Sequence, residues 1–272
     1  MITIVFAPPR YGKTCFMTHM SNQYAFDRQR NRAMQNELIL KIQNGFTGIA
    51  TIPQHCVSAN YDIVLRKFGY TPRACRRINP YKLGFANSRV KTHFNLPYEA
   101  IFITEAQKYL NSRMSRFYPD WQSRWFEQHG HNNLDIWLDA QRPMLIDVNI
   151  RELARFIEIV ELEVKYNEYF RPCRLRWLIR TIDSSPLFDR YIASGKKDRD
   201  CYIESVVEAN YNVFASYDSR SCKPKFYDGH FEEDIDYNVS APTVETLEGY
   251  VKFLQQFDDE LPDGFYSNAK AA

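Results

Sequence analysis

The chain has 272 residues, with 44% hydrophobic and 15% aromatic content, which is enough for one sizeable core with or without an appendage. Nothing in it suggests a membrane-spanning protein, a repeat array or a disulfide scaffold: no apolar run approaches the ~20 residues that cross a bilayer, no internal repeat occurs, and the six cysteines follow no zinc or redox spacing. The formal net charge is +2, but residues 228–272 hold 11 of the 33 acids and 2 of the 35 bases, so a basic body precedes an acidic segment. Such a body suits a polyanionic partner; a solvated acidic tail without special function is the plainer alternative. The N-terminus enters a strand at once, so no secretory signal is expected, and scattered thiols fit a cytoplasmic setting.

Ile2-Thr3-Ile4-Val5-Phe6 reads as a buried strand, and Cys15 to Arg32 as a helix with few breakers. Between them lies Ala7-Pro8-Pro9-Arg10-Tyr11-Gly12-Lys13-Thr14. Strand, loop ending Gly-Lys-Thr, then helix is the setting of a phosphate-binding loop. There, backbone N–H groups of Arg10, Tyr11 and Gly12 and of the helix N-terminus face phosphate oxygens. Lys13 neutralises the outer phosphates, and the Thr14 hydroxyl holds the accompanying Mg²⁺. Ala7 stands where the usual pattern has its first Gly. The helical pattern resumes from Ala33 towards Asn44, with Gly45 as a stop signal, and Gly48–Ile52 reads as a short strand.

Residues 66–91 carry Arg66, Lys67, Arg73, Arg76, Arg77 and three further bases without one acid, interleaved with Phe68, Tyr70, Tyr81 and Phe85. This composition suits a surface that tracks a phosphate backbone and stacks bases, or else a solvated basic face over core aromatics. Glu99–Ile103 then reads as a central parallel strand ending in Thr104-Glu105. Catalytic groups of such sheets sit at the strand's C-terminal end, so Glu105 is the candidate base that polarises an attacking water. Arg113 and Arg116, among the aromatics of residues 112–125, are candidate arginine fingers toward a neighbouring subunit; DNA contact or plain surface capping fits them equally.

Leu134–Ala140 reads as a second central strand, with Gln141 at its end placed to sense a γ-phosphate. His129 and His131 lack a third ligand nearby, so no metal site is expected there. Residues 146–156 look helical. Ile157–Val164, alternating with acids and one phase slip, and Leu175–Ile179, alternating with arginines, read as a hairpin joined at Asn167–Pro172. Beyond Pro186 the pattern weakens: one or two short helices over residues 187–216, an edge strand at Lys223–Tyr227, and a late helix near Thr243–Phe257. The fold class is therefore α/β, with a mainly parallel sheet flanked by helices, a β-hairpin and an acidic C-terminal segment. The expected division is a core over residues 1–185, its closing part over 186–230, and an acidic tail over 231–272.

Three motifs now stand in order: the loop at residues 7–14, Ile101-Phe102-Ile103-Thr104-Glu105-Ala106-Gln107, and His131 to Gln141, followed by Ile146-Asp147-Val148-Asn149-Ile150-Arg151. Together they resemble the zonular occludens toxin (Zot) family, which includes filamentous-phage assembly ATPases of the FtsK–HerA branch of P-loop NTPases. Phe214-Ala215-Ser216-Tyr217-Asp218, with Tyr227 after it, looks like the close of that domain. The resemblance covers roughly residues 1–230. It implies an ATP- and Mg²⁺-dependent protein that handles phage DNA, working as a homo-oligomeric ring beside other phage assembly proteins. Lys13 and Thr14 take the loop roles, Glu105 the catalytic acid role and Gln141 the sensor role. Two departures stand out: Thr104 replaces the family's Asp, which puts hydrolysis in question, and no membrane span follows the domain, which favours a soluble packaging or assembly role. The expected function is a DNA packaging or assembly ATPase. A nucleotide-dependent DNA-binding or assembly protein with little turnover is the alternative, and a small-molecule phosphotransferase ranks third.

Overall fold

A computed structural model of the chain describes residues 1–45, 52–67, 70, 72–78, 80, 83, 95–113, 120–131, 133–170 and 172–217. Its strands are β1 (Ile2–Phe6), β2 (Val57–Ala59), β3 (Val64–Leu65), β4 (Arg73–Ala74), β5 (Arg76–Arg77), β6 (Ala100–Ile103), β7 (Asp135–Ala140), β8 (Ala154–Tyr166), β9 (Pro172–Ile182) and β10 (Ile203–Asn210). The helices are α1 (Lys13–Ala25), α2 (Arg28–Gln43), α3 (Asp120–Glu127), α4 (Val148–Glu152) and α5 (Ser185–Ala193), with short 3-10 turns between. Eight of these strands form one sheet in the order β10-β9-β8-β1-β7-β6-β2-β5, and β3 pairs with β4 apart from it. The run from β8 through β5 is parallel, and β9 and β10 add antiparallel strands at one side. The α/β class with a mainly parallel sheet is therefore what the sequence pattern predicts.

Parallel strands bury both faces, which is why β6 is apolar throughout and β1 is apolar except for the buried Thr3. On one face Ile4, Phe6, Ile103 and Leu138 pack with Trp125, Ile150 and Phe188 from α3, α4 and α5. On the other Val5, Phe102 and Trp137 pack with Phe16 and Met17 of α1. Helix α2 buries Met34, Leu38 and Ile39 against Ile52, Cys56 and Leu96.

Four local differences from the sequence reading have physical causes. The first helix breaks at Phe26, because the Asp27 side chain accepts the Arg30 N–H and caps a second helix. The helical reading of residues 146–156 shrinks to α4, since strand β8 begins at Ala154. Strand β2 escaped notice because three residues give no period to read. Residues 203–210 form an edge strand rather than a helix: they lie largely exposed and take their order from pairing with β9, Glu204 to Arg180 among them. The hairpin of β8 and β9 is as expected, and its phase slip is a register shift between Ile159 and Glu161. Most of the expected strand at 48–52, the edge strand at 223–227, the late helix and the acidic tail lie outside the described residues. Among the described residues no helix is long and apolar enough to cross a membrane.

His55, just before β2, is buried with both ring nitrogens engaged. Nε2 lies 2.8 Å from the Ala74 carbonyl, and Nδ1 lies 3.2 Å from the Val57 N–H, which donates to it. A proton on Nδ1 would face that N–H, and burial pushes the imidazole down to about 4. The unfolded chain therefore takes up this proton first as pH falls through ~6.5, and stability is lost between there and about 4. We expect a loss of about 2 kcal/mol from this residue between pH 7 and pH 5 in urea titrations, with His55→Gln flattening the decline. An equal decline in the variant would remove His55 as its cause.

Candidate functional site

The loop of residues 7–14 joins the C-terminal end of β1 to α1. Left-handed backbone occurs within it at Arg10 (φ 71°) and Gly12 (φ 74°), and not at Ala7. That explains why Ala is tolerated at the position where the usual pattern has Gly: nothing there requires positive φ. Gly12 has a second reason to lack a side chain. A Cβ on it would lie 2.7 Å from Leu162 Cδ2 and 3.3 Å from Trp177 Nε1. These two side chains belong to β8 and β9. Only residues 154–158 of β8 pair with β1, so the rest of the hairpin runs past the end of β1 and walls the loop. Trp177 is further fixed edge-on to Phe16 and stacked on His19 of α1.

Helix α1 opens with no acid in its first turn and no side-chain cap, so its first N–H groups have no side-chain acceptor from the helix itself. Lys13 is buried, and its Nζ donates to the Ala7 carbonyl at 3.0 Å and the Pro8 carbonyl at 3.2 Å. Burial lowers its pKa, while Asp139 and Glu105 oppose that shift. Thr14 is partly buried one residue further on, and its carbonyl accepts the Thr18 hydroxyl. Arg10 and Tyr11 are exposed on the outside of the loop.

Two neighbouring strands end at the same edge. Strand β7 lies between β1 and β6, so its end is nearest the loop. Gln141 follows Ala140, which is level with Phe6, and is exposed beside the start of the loop. Glu105 follows β6 in left-handed backbone (φ 55°); its Oε2 takes a 3.0 Å hydrogen bond from Gln107 Nε2 and lies 3.3 Å from Lys108 Nζ. Thr104 is buried and clasped by Asn60, whose Oδ1 accepts the Thr104 N–H at 2.8 Å and whose Nδ2 donates to its carbonyl at 3.1 Å.

Asp139 is the site residue that the sequence reading did not single out. It is buried, and its Oδ1 accepts the Glu105 N–H at 2.8 Å. Burial pushes its carboxyl up to about 7, against the Glu105 N–H and Lys13, which pull it down. The signal was present in the sequence: an acid inside an otherwise apolar central strand has to be paid for by partners.

The basic stretch is placed differently from its sequence reading. Arg76 is a correction: it is buried and ion-paired with Glu99 at 3.1 Å, so it faces the interior rather than a nucleic-acid surface. Arg73 donates to the Ala25 carbonyl at 2.9 Å and lies over the Phe26 ring, and Arg77 pairs with Asp62. Arg66 and Lys67 are exposed, with Lys67 over the Tyr70 ring. Arg113 is exposed beyond β6, and Arg116 lies outside the described residues. His129 is bound to the Phe126 carbonyl through Nδ1 at 2.6 Å.

No protein-family model matches the sequence, and no curated protein matches it. Solved structures similar to it include the N-terminal domain of zonular occludens toxin from Neisseria meningitidis, at 18% identity and a TM-score of 0.44, covering 80% of this chain and 98% of that one. Another is the genome packaging NTPase B204 from Sulfolobus turreted icosahedral virus 2 in complex with ATP-gammaS, at 10% identity and a TM-score of 0.34, covering 68% of this chain and 92% of that one.

Proposed function

We propose that this chain binds Mg²⁺-ATP at residues 10–14 and hydrolyses it as part of a motor that packages or assembles phage DNA. The observation that carries the nucleotide reading is the convergence at one sheet edge. A left-handed Gly12, a buried Lys13 anchored to the loop and an uncapped helix N-terminus meet Glu105 and Gln141 from the next two strands. Loop N–H groups and Lys13 bind the outer phosphates. Glu105 orients and deprotonates the attacking water, and Gln141 bonds the γ-phosphate. The donors here are oxygens, the Thr14 hydroxyl and nearby carboxylates, which suits a hard divalent cation. When bound, Mg²⁺ would neutralise phosphate charge and orient the chain of oxygens. The DNA and ring elements of the proposal come from the family resemblance. Arg66 and Lys67 are the exposed candidates for the DNA face, and Arg113 or Arg116 for a finger reaching the neighbouring subunit.

A second reading, a nucleotide-dependent DNA-binding or assembly protein with little turnover, draws on two observations. Position 104 lacks an acid, and Glu105 is occupied by Gln107 and Lys108. Steady-state hydrolysis with and without single-stranded DNA, alongside Glu105→Gln, separates the two. The motor reading expects DNA-stimulated turnover that falls roughly 100-fold or more in the variant, with ATP binding kept. A negligible wild-type rate that the variant leaves unchanged would favour the assembly protein. Turnover indifferent to both DNA and Glu105 would contradict the motor and favour a phosphotransferase.

A further inference from the structure

We propose that Asp139 supplies the carboxylate that faces the nucleotide's divalent cation, a role moved one strand inward from the position where Thr104 stands. This rests on the nucleotide reading of the loop and assigns a residue within it.

Strand register places the two positions side by side. Ile103 is level with Leu138, so Thr104, the next residue, stands level with Asp139. Asp139 is in turn level with Val5, two residues before the loop begins. Because β7 is the strand between β6 and β1, Asp139 is one strand spacing, about 4.8 Å, closer to the loop than any residue of β6 at that level.

The face is also the right one. Trp137 packs with Phe16 and Met17 of α1, and Asp139, two residues on, points to the same side. Leu138 and Ala140 point to the opposite core. Asp139 therefore lies on the α1 side of the sheet, close enough to the start of that helix for its charge to act on Lys13.

Thr104, by contrast, is committed to structure. Asn60 holds both its backbone groups, and its hydroxyl lies 3.4 Å from Asn60 Oδ1. Of these two level positions, only the one on β7 carries a carboxylate.

A purely structural role for Asp139 is the competing account, since Oδ1 holds the Glu105 turn. Asp139→Asn distinguishes them, because an amide oxygen still accepts that N–H while the charge is gone. The test is ATP binding by the full chain, followed with a fluorescent ATP analogue in EDTA and across a Mg²⁺ titration. Our assignment expects the variant to need at least 10-fold more Mg²⁺ for half-maximal tightening, with binding in EDTA equal to or tighter than wild type. Moving the carboxylate back, as Thr104→Asp in the Asp139→Asn background, should recover part of the Mg²⁺ response. A variant that binds ATP with the wild-type Mg²⁺ requirement overturns the assignment alone. A wild-type chain that binds no ATP in either condition overturns the loop reading, and the assignment with it.

Discussion

Arg76→Ala should unfold much of the protein rather than merely weaken a nucleic-acid contact. The guanidinium is buried beside Glu99, which is itself fully buried, at 3.1 Å. The Glu99 carboxylate also accepts from the Ser58 hydroxyl and, at 3.0 Å, from the Leu96 N–H. Removing the arginine takes a guanidinium partner from a carboxylate in the interior, and truncating one side of a buried pair typically costs about 3–5 kcal/mol. That is a large part of the roughly 5–15 kcal/mol by which a domain is stable. The pair also joins elements distant in sequence: Ser58 of β2 is level with both Arg76 of β5 and Ile101 of β6. Urea denaturation should therefore show a greatly lowered midpoint for Arg76→Ala, while exposed Arg66→Ala and Lys67→Ala stay within about 0.5 kcal/mol of wild type. Replacing both partners with apolar residues of similar size should recover much of the loss, because no lone charge is then left inside. An Arg76→Ala protein as stable as wild type would show that Arg76 is not the structural residue described here.

The contrast between Arg76 and Arg66 shows where the sequence runs out. Composition identifies a basic, aromatic stretch, yet which cations turn inward depends on partners such as Asp62, Glu99 and Ala25. These lie 15 to 48 residues away and meet them only in the folded chain. The loop was legible because its parts are contiguous: an apolar strand, a Gly-Lys-Thr turn and a helix follow one another without a gap. The sheet class was legible because buried parallel strands read as apolar runs. Strand order was not, because pairing is a property of register and crossover rather than of any one segment. Asp139 illustrates the same limit. Its position inside an apolar strand was visible, but its adjacency to Lys13 and its level with Thr104 follow only from β7 lying between β1 and β6. The hairpin wall over Gly12 was equally out of reach, since Leu162 and Trp177 lie 150 and 165 residues beyond the glycine that they constrain.

The largest effect on function should come from Lys13→Ala. In the free protein the ammonium holds the loop by two hydrogen bonds to the carbonyls of Ala7 and Pro8. In the proposed complex the same group would meet the outer phosphates, in a buried setting where a charge-assisted hydrogen bond is strong. Losing two such bonds, at about 1.5–3 kcal/mol each, corresponds to roughly 100-fold weaker binding or more. Lys13→Arg keeps the charge but not the compact ammonium that fits between the two carbonyls, and should fall between the two. A melting curve for each variant separates loss of site from loss of fold.

Calorimetric titration of Mg²⁺-ATP into the wild-type chain and Lys13→Ala is the measurement that bears most directly on the site. Saturable one-site binding by wild type, lost or weakened roughly 100-fold in a variant that remains folded, is the result expected here. Absence of binding by the folded wild-type chain, or equal binding by both proteins, would contradict the assignment of residues 7–14 as a phosphate-binding loop.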